Sequence, residues 1–91
     1  MFKGKTSSGF EYETSENIGN DYRFVKALAK MNSKTDDQFN GMAEVVDLVL
    51  GDRESDLMEF VKEEDGTIPT DKVLAIVKEI VEEIGKSKLK N

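Results

Sequence analysis

The sequence predicts an α+β fold that is mostly α-helical, with an N-terminal β-hairpin packed on a bundle of about four short helices. Residues 2–14 place charged and aromatic side chains on alternate positions around a Ser-Ser-Gly turn, which is typical of a hairpin. Beyond this segment, apolar residues recur every three or four positions, which is the period of an amphipathic helix. We expect one small domain over residues 1–85 and a flexible basic tail over residues 86–91.

The predicted hairpin turns at Ser7-Ser8-Gly9, a three-residue loop with glycine where a left-handed residue is required. Pairing about this turn sets basic residues opposite acidic ones on one face, in the pairs Lys5–Glu11 and Lys3–Glu13. The other face then collects the aromatic residues Phe2, Phe10 and Tyr12. Because a two-stranded hairpin is marginally stable alone, we expect this aromatic face to pack on the helices.

Four helices are predicted, over residues of about 20–31, 36–50, 53–63 and 70–84. In the first two, the residues expected to face the core are Tyr22, Val25, Leu28 and Ala29, and then Phe39, Met42, Ala43, Val46, Val49 and Leu50. In the last two, they are Leu57, Phe60 and Val61, and then Val73, Ile76, Val77, Ile80, Val81 and Ile84.

Local signals mark the ends of these helices. Thr35 and Gln38 have the spacing of a capping box before the second helix, and Gly51 suits its C-terminal cap. Asp65-Gly66 predicts a turn before the fourth helix, and Gly85 is expected to end it.

The chain contains no histidine, cysteine or tryptophan. Ser-His and Cys-His catalysis and the usual zinc sites are therefore excluded. We expect a protein that is not an enzyme, has no cofactor or metal, and works by contact with other proteins. The absence of cysteine fits a reducing cytoplasm, and the N-terminal residues lack the apolar core of a signal peptide.

The net charge is −6, and it is distributed unevenly. Residues 36–65 hold eleven acidic residues against two basic ones, whereas residues 21–34 carry a net charge of +3. The acidic centre repels nucleic acid and anionic membranes and attracts a basic protein. The alternative is a solvated acidic surface that keeps a small protein soluble. The basic helix either recognises acidic partners or pairs internally with the acidic centre.

Two carboxylate-rich segments are candidate metal sites. Asp65-Gly66-Thr67-Ile68 resembles the centre of an EF-hand loop, but the register puts Val61 and Lys72 where calcium requires oxygen ligands. Glu63-Glu64-Asp65 is expected to be a solvated helix end. The glutamates Glu79, Glu82 and Glu83 are expected to form the polar face of the fourth helix, since paired-carboxylate chemistry requires a sheltered cleft.

Three further apolar residues, Val45, Leu48 and Leu74, lie beside the main stripes of the second and fourth helices. An apolar face wider than one core requires indicates a protein-contact surface or a self-association surface. The alternative is that a tightly packed small domain buries all three. We take Val45, Leu48 and Leu74 as candidate protein contacts.

The order of motifs along nearly the whole chain resembles that of small proteins from tailed phages and prophages of Gram-positive bacteria, encoded just ahead of the tape measure gene. The matching segments are Lys5-Thr6-Ser7-Ser8-Gly9-Phe10-Glu11-Tyr12-Glu13, Asp21-Tyr22, Ala27-Leu28-Ala29, Val45-Val46-Asp47-Leu48-Val49-Leu50-Gly51 and Glu63-Glu64-Asp65-Gly66-Thr67-Ile68-Pro69. Such proteins are regarded as tail assembly chaperones. The resemblance implies a cytoplasmic chaperone that coats the tape measure protein and recruits tail tube subunits, and this chain would be the short form of a frameshifted pair.

A second hypothesis follows from charge instead of resemblance. In it, the protein is an acidic adaptor or inhibitor that masks a basic surface on a host or phage protein, and residues 36–65 supply the recognition. The two hypotheses differ in salt response, because exposed charges are strongly screened at high salt whereas apolar contacts are not.

Overall fold

The fold was determined as a computed structural model that describes residues 1–89, with side chains described through residue 86. Strands β1 (Phe2–Lys5) and β2 (Glu11–Thr14) form an antiparallel hairpin. Four helices follow, and they are α1 (Tyr22–Met31), α2 (Asp37–Val49), α3 (Glu54–Val61) and α4 (Thr70–Leu89). Short 3₁₀ helices over Ile18–Asn20 and Gly51–Arg53 precede α1 and α3. The predicted fold class is confirmed.

The hairpin has the predicted register, with Lys5 opposite Glu11 and Lys3 opposite Glu13. Its loop is closed at Thr6, whose backbone N–H donates to the Phe10 carbonyl at 2.9 Å. Gly9 has a φ of +99°, the left-handed conformation that the turn requires.

The aromatic face of the hairpin packs on the helices, as expected. Tyr12 is 1% exposed and lies opposite Gly4 on β1. The Tyr12 ring fills the space that a side chain at Gly4 would take. Glycine at this position therefore allows the ring to lie flat across the sheet.

Helix α1 buries a different face from the predicted one. Its buried residues are Phe24, Ala27 and Met31, whereas Tyr22, Val25 and Ala29 are exposed and Leu28 is half-buried. The exposed residues and the buried residues each have the spacing i, i+3, i+7 along the helix. The sequence pattern alone therefore does not choose between the two faces. The choice is made at Gly41 of α2, where the absent side chain lets the backbone of α1 approach at Ala27 and Met31.

Helix α2 buries Val45, Val46 and Val49. Phe39 is 49% exposed and Ala43 is also exposed, so the prediction that both face the core is wrong. The reason for Phe39 is geometric, since it precedes Gly41 by two positions and therefore lies about 200° around the helix from the contact with α1.

The ends of α2 are only partly as predicted. Gly51, directly after the helix, has a φ of +58°, and this left-handed conformation confirms the prediction that glycine caps the C-terminal end of α2. The prediction of a capping box is wrong. The Thr35 hydroxyl accepts from the Asp37 N–H at 3.3 Å and not from the Gln38 N–H, which donates to the Thr35 carbonyl instead.

The last two helices complete the core. Leu57 and Val61 of α3 are buried, as are four residues of α4, Ile76, Val77, Ile80 and Ile84, whereas Val73 and Val81 are half-buried. Phe60, predicted to be buried, is 45% exposed. The turn at Asp65-Gly66 is confirmed by a φ of +88° at Gly66 and by its N–H, which donates to the Glu63 carbonyl at 3.0 Å.

Helix α4 does not end at Gly85, and that prediction is wrong. The helix continues to Leu89, so residues 86–89 of the predicted tail are helical, and residues 90–91 lie outside the described residues. A glycine inside a helix costs only about 1 kcal/mol relative to alanine. Lys86, which follows it in the last turn, offsets part of this cost, because positive charge is favourable at a helix C-terminus.

Candidate protein-contact surface

The hairpin turn, the end of α3 and the first half of α4 enclose an apolar groove of about 460 Å³. We call it the Phe60 groove. Its apolar lining comes from Phe60, Val61, Ala75 and Ile76. Its polar rim comes from Ser7, Ser8, Lys62, Glu63, Lys72 and Glu79. Grooves of this size with a mainly apolar floor and a few polar groups are typical binding sites.

Phe60 is the central side chain of this groove. Its ring packs on Phe10 of the hairpin, with ring centroids 5.4 Å apart and planes tilted by 59°. Such tilted aromatic pairs are favourable, so the side chain is held in place while 45% of it stays exposed. Ala75 is exposed on the neighbouring α4, and its small side chain leaves the floor open beside Phe60.

Two glutamates of α4 hold the hairpin beside the groove. The Ser7 N–H donates to Glu79 Oε1 at 3.0 Å, and the Tyr12 hydroxyl donates to Glu83 Oε1 at 2.5 Å. The hydrogen bond from Ser7 lowers the pKa of Glu79. Burial raises the pKa of Tyr12, and the hydrogen bond to Glu83 raises it further. These carboxylates therefore have a structural role that the sequence pattern did not indicate, since their partners are more than seventy residues away.

The lysines on the rim are already paired within the chain. Lys72 Nζ lies 3.3 Å from Glu63 Oε1, and this ion pair joins the segment after α3 to α4. Lys62 Nζ lies 3.0 Å from Glu59 Oε2. The nearby segment from the end of α3 to the start of α4 also carries three exposed carboxylates, Glu64, Asp65 and Asp71, so the surface beside the groove is acidic.

The three candidate contact residues are not brought together, and none of them lines the Phe60 groove. Val45 is 1% exposed and belongs to the core, so its prediction as a surface contact is wrong. It lies on the side of α2 that packs inward with Val46 and Val49. Leu48 is half-buried in a separate cleft of about 290 Å³ between α1 and α2, and Leu74 is half-buried on α4.

The two acidic segments that are candidate metal sites in the sequence form hydrogen bonds and ion pairs within the chain. Asp65 Oδ1 accepts from the Thr67 N–H at 2.9 Å, which lowers the pKa of Asp65 and stabilises the turn. Glu63 pairs with Lys72, as described above. Within residues 1–89, no three carboxylates lie close enough together to hold a metal ion.

The basic helix α1 is partly neutralised inside the domain. Lys30 Nζ lies 2.7 Å from Glu44 Oε2 of α2, and Arg23 pairs with Asp21 at 2.7 Å. The first of these pairs joins α1 to the acidic centre, which is the internal pairing that was one of the two alternatives. Lys26 lies over the ring of Tyr22, 5.6 Å from its centroid.

None of the helices in the described residues combines the length and the apolar character that a membrane span requires. Comparison with known protein families, with curated proteins and with solved structures finds no match to this chain.

Proposed function

We propose that this protein is a phage tail assembly chaperone that binds and shields the tape measure protein and helps to recruit tail tube subunits. The observation that carries the proposal is the Phe60 groove, an open apolar surface beside the packed core of the domain. The order of motifs along the chain and the lack of histidine and cysteine support the same function. The place of action is the cytoplasm of the bacterial host.

The physical basis of such shielding is the behaviour of long helical chains. A tape measure protein exposes apolar stripes until the tail tube surrounds it, and exposed stripes of this kind aggregate. A small acidic domain with an apolar groove covers part of a stripe and adds negative charge to the complex, which opposes further association. Reversible binding then allows tube subunits to take its place.

Co-expression tests this proposal. The chain is produced together with a fragment of the tape measure protein encoded in the same genome, and the soluble fraction of the fragment is measured. We expect a clear rise in solubility over the fragment alone. An unchanged insoluble fraction, or the lack of tape measure and tail tube genes near the gene for this chain, would contradict the proposal.

A second candidate function, the acidic adaptor or inhibitor, is favoured by the exposure of the acidic centre. Nine of the eleven acidic residues in 36–65 are exposed, and Glu44 and Glu54 are half-buried. The dependence of partner binding on salt concentration distinguishes the two functions. Binding to a basic surface through these charges weakens steeply as salt is raised, because the Debye length falls to about 3 Å at 1 M, whereas capture in an apolar groove persists.

A further inference from the structure

We propose that the Phe60 groove binds one face of a basic amphipathic helix, which inserts two apolar side chains one helical turn apart. This inference rests on the proposed function and names the part of the partner that is recognised. Three properties of the groove carry it, namely its length, its walls and its charge.

The length of the groove fits two anchoring side chains. Along α4 it is bounded by Lys72 and Glu79, which are seven residues apart and therefore about 10 Å apart along the helix axis. Side chains at positions i and i+4 of a partner helix are separated by about 6 Å along its axis. Two such side chains fit between Lys72 and Glu79. A third side chain, one helical turn further along the partner, would lie beyond these two residues.

The walls of the groove favour a helical partner over an extended one. On the α4 side of the groove, the backbone groups of Ala75 and Ile76 are used within the helix itself. An extended peptide laid along α4 would leave its own N–H and C=O groups on that side without partners, which is costly in an apolar setting. A helix satisfies its backbone internally and presents only side chains.

The charge around the groove fits a basic partner. Residues 59–72 carry five acidic residues and two lysines, and both lysines are paired with carboxylates of this chain. Both lysines line the groove, and their charges are neutralised by these ion pairs. Lysine or arginine residues beside the two anchors would then lie close to Glu64 and Asp71, exposed carboxylates that directly adjoin lining residues in the sequence.

Ala75 provides a sharp test, because a longer side chain at this position fills the floor of the groove. We choose Ala75→Gln, which keeps a good helix former and adds no charge. Ala43→Gln is the matched control, since Ala43 is also exposed on a helix and lies outside the groove. Thermal melts establish that both variants are folded.

The probe is a synthetic helical peptide of about 15 residues, rich in alanine and lysine, with two leucines four positions apart. We expect it to bind the wild-type chain and Ala43→Gln equally, and to bind Ala75→Gln about tenfold more weakly. A peptide with glutamate in place of lysine should bind much less tightly to the wild type. Equal binding of the lysine peptide to all three proteins would overturn the groove assignment, and equal binding of both peptides would overturn the charge assignment.

The same variants separate this inference from the proposed function. If the wild-type chain does not raise the solubility of the tape measure fragment, the function fails. If the wild type and Ala75→Gln raise it equally, the function stands and the groove is wrong. If Ala43→Gln alone loses the effect, the partner binds on the side of α2 instead, and the inference is again overturned.

Discussion

Gly41 of α2 lies directly against the backbone of Met31 in α1, so the two helices cross with no side chain between them. A methyl group at Gly41 would overlap the Met31 nitrogen and would also press on the Ala27 carbonyl, 2.6 Å away. This contact fixes which face of α1 is buried. It therefore also determines that Tyr22 and Val25 are left on the surface.

The first prediction concerns this crossing. Gly41→Ala should lower the free energy of unfolding by about 1–3 kcal/mol, because rigid backbone cannot move aside as a side chain can. Gly85→Ala is the matched control, since Gly85 is helical and has open space around it. It should raise the free energy of unfolding by about 1 kcal/mol. Denaturant melts measure both, and a stabilising effect of Gly41→Ala would refute the close crossing.

The second prediction concerns the hydroxyl of Tyr12. Tyr12→Phe removes its hydrogen bond to Glu83 and should cost about 1–2 kcal/mol of unfolding free energy near neutral pH. The pKa of Tyr12 is raised in the folded state above its usual value of about 10, mainly by burial. The neutral hydroxyl therefore stabilises the fold below pH 10, and this contribution is lost as the pH rises above that value.

Melts across the alkaline range test this dependence. The wild-type chain should lose stability above about pH 10 more steeply than Tyr12→Phe, since the lysines titrate in both proteins and cancel in the comparison. In a Tyr22→Phe background, the tyrosinate absorbance reports Tyr12 alone. Ionisation of Tyr12 near its ordinary pKa without unfolding would contradict the buried hydrogen bond.

The third prediction concerns Glu79 and acid pH. The hydrogen bond from Ser7 holds the folded-state pKa of Glu79 below its ordinary value of 4.5. The carboxylate therefore stabilises the fold above that pH, and the contribution is lost as the pH falls through the lowered pKa. The difference in stability between the wild type and Glu79→Gln should be present at neutral pH and should vanish in acid.

Glu82→Gln is the control for this experiment, because Glu82 is an exposed carboxylate on the same helix. This variant leaves the Ser7 hydrogen bond to Glu79 in place, so its melts report the general effect of removing one carboxylate from α4. If both variants respond to acid alike, the contact between Ser7 and Glu79 does not contribute to the stability of the domain.

The fourth prediction compares two aspartate substitutions on α4. Ile80 is 2% exposed, so Ile80→Asp places an unpaired carboxylate in the core and should cost several kcal/mol. Leu74 is half-buried, and Leu74→Asp should leave folding largely intact while weakening partner binding or self-association. Thermal melts and a sizing column decide this. If Leu74→Asp unfolds the protein as severely as Ile80→Asp, Leu74 is a core residue and not a contact.

Local chemistry explains which parts of the fold could be predicted. The hairpin register follows from opposite charges facing each other and from a glycine at the one left-handed position, so neighbouring residues suffice. The face of α1 could not be chosen in this way, because two apolar stripes share one spacing and the deciding residue, Gly41, lies on another helix.

The candidate site was harder to predict for the same reason. Phe60 has the spacing of a core residue, and its partial exposure depends on how far the hairpin and α4 cover it. Glu79 and Glu83 have the spacing of a solvated face, and their hydrogen bonds reach residues near the start of the chain. Sequence periodicity describes one helix at a time, and a groove is made by three elements together.

The hydrogen bonds from Ser7 and Tyr12 to α4 also bear on the order in which the protein folds. They span 72 and 71 residues, so the hairpin reaches these partners only after α4 has been synthesised. Contacts of such separation carry a large loop-closure entropy and form slowly. The hairpin of a growing chain therefore lacks these two hydrogen bonds until α4 has emerged from the ribosome.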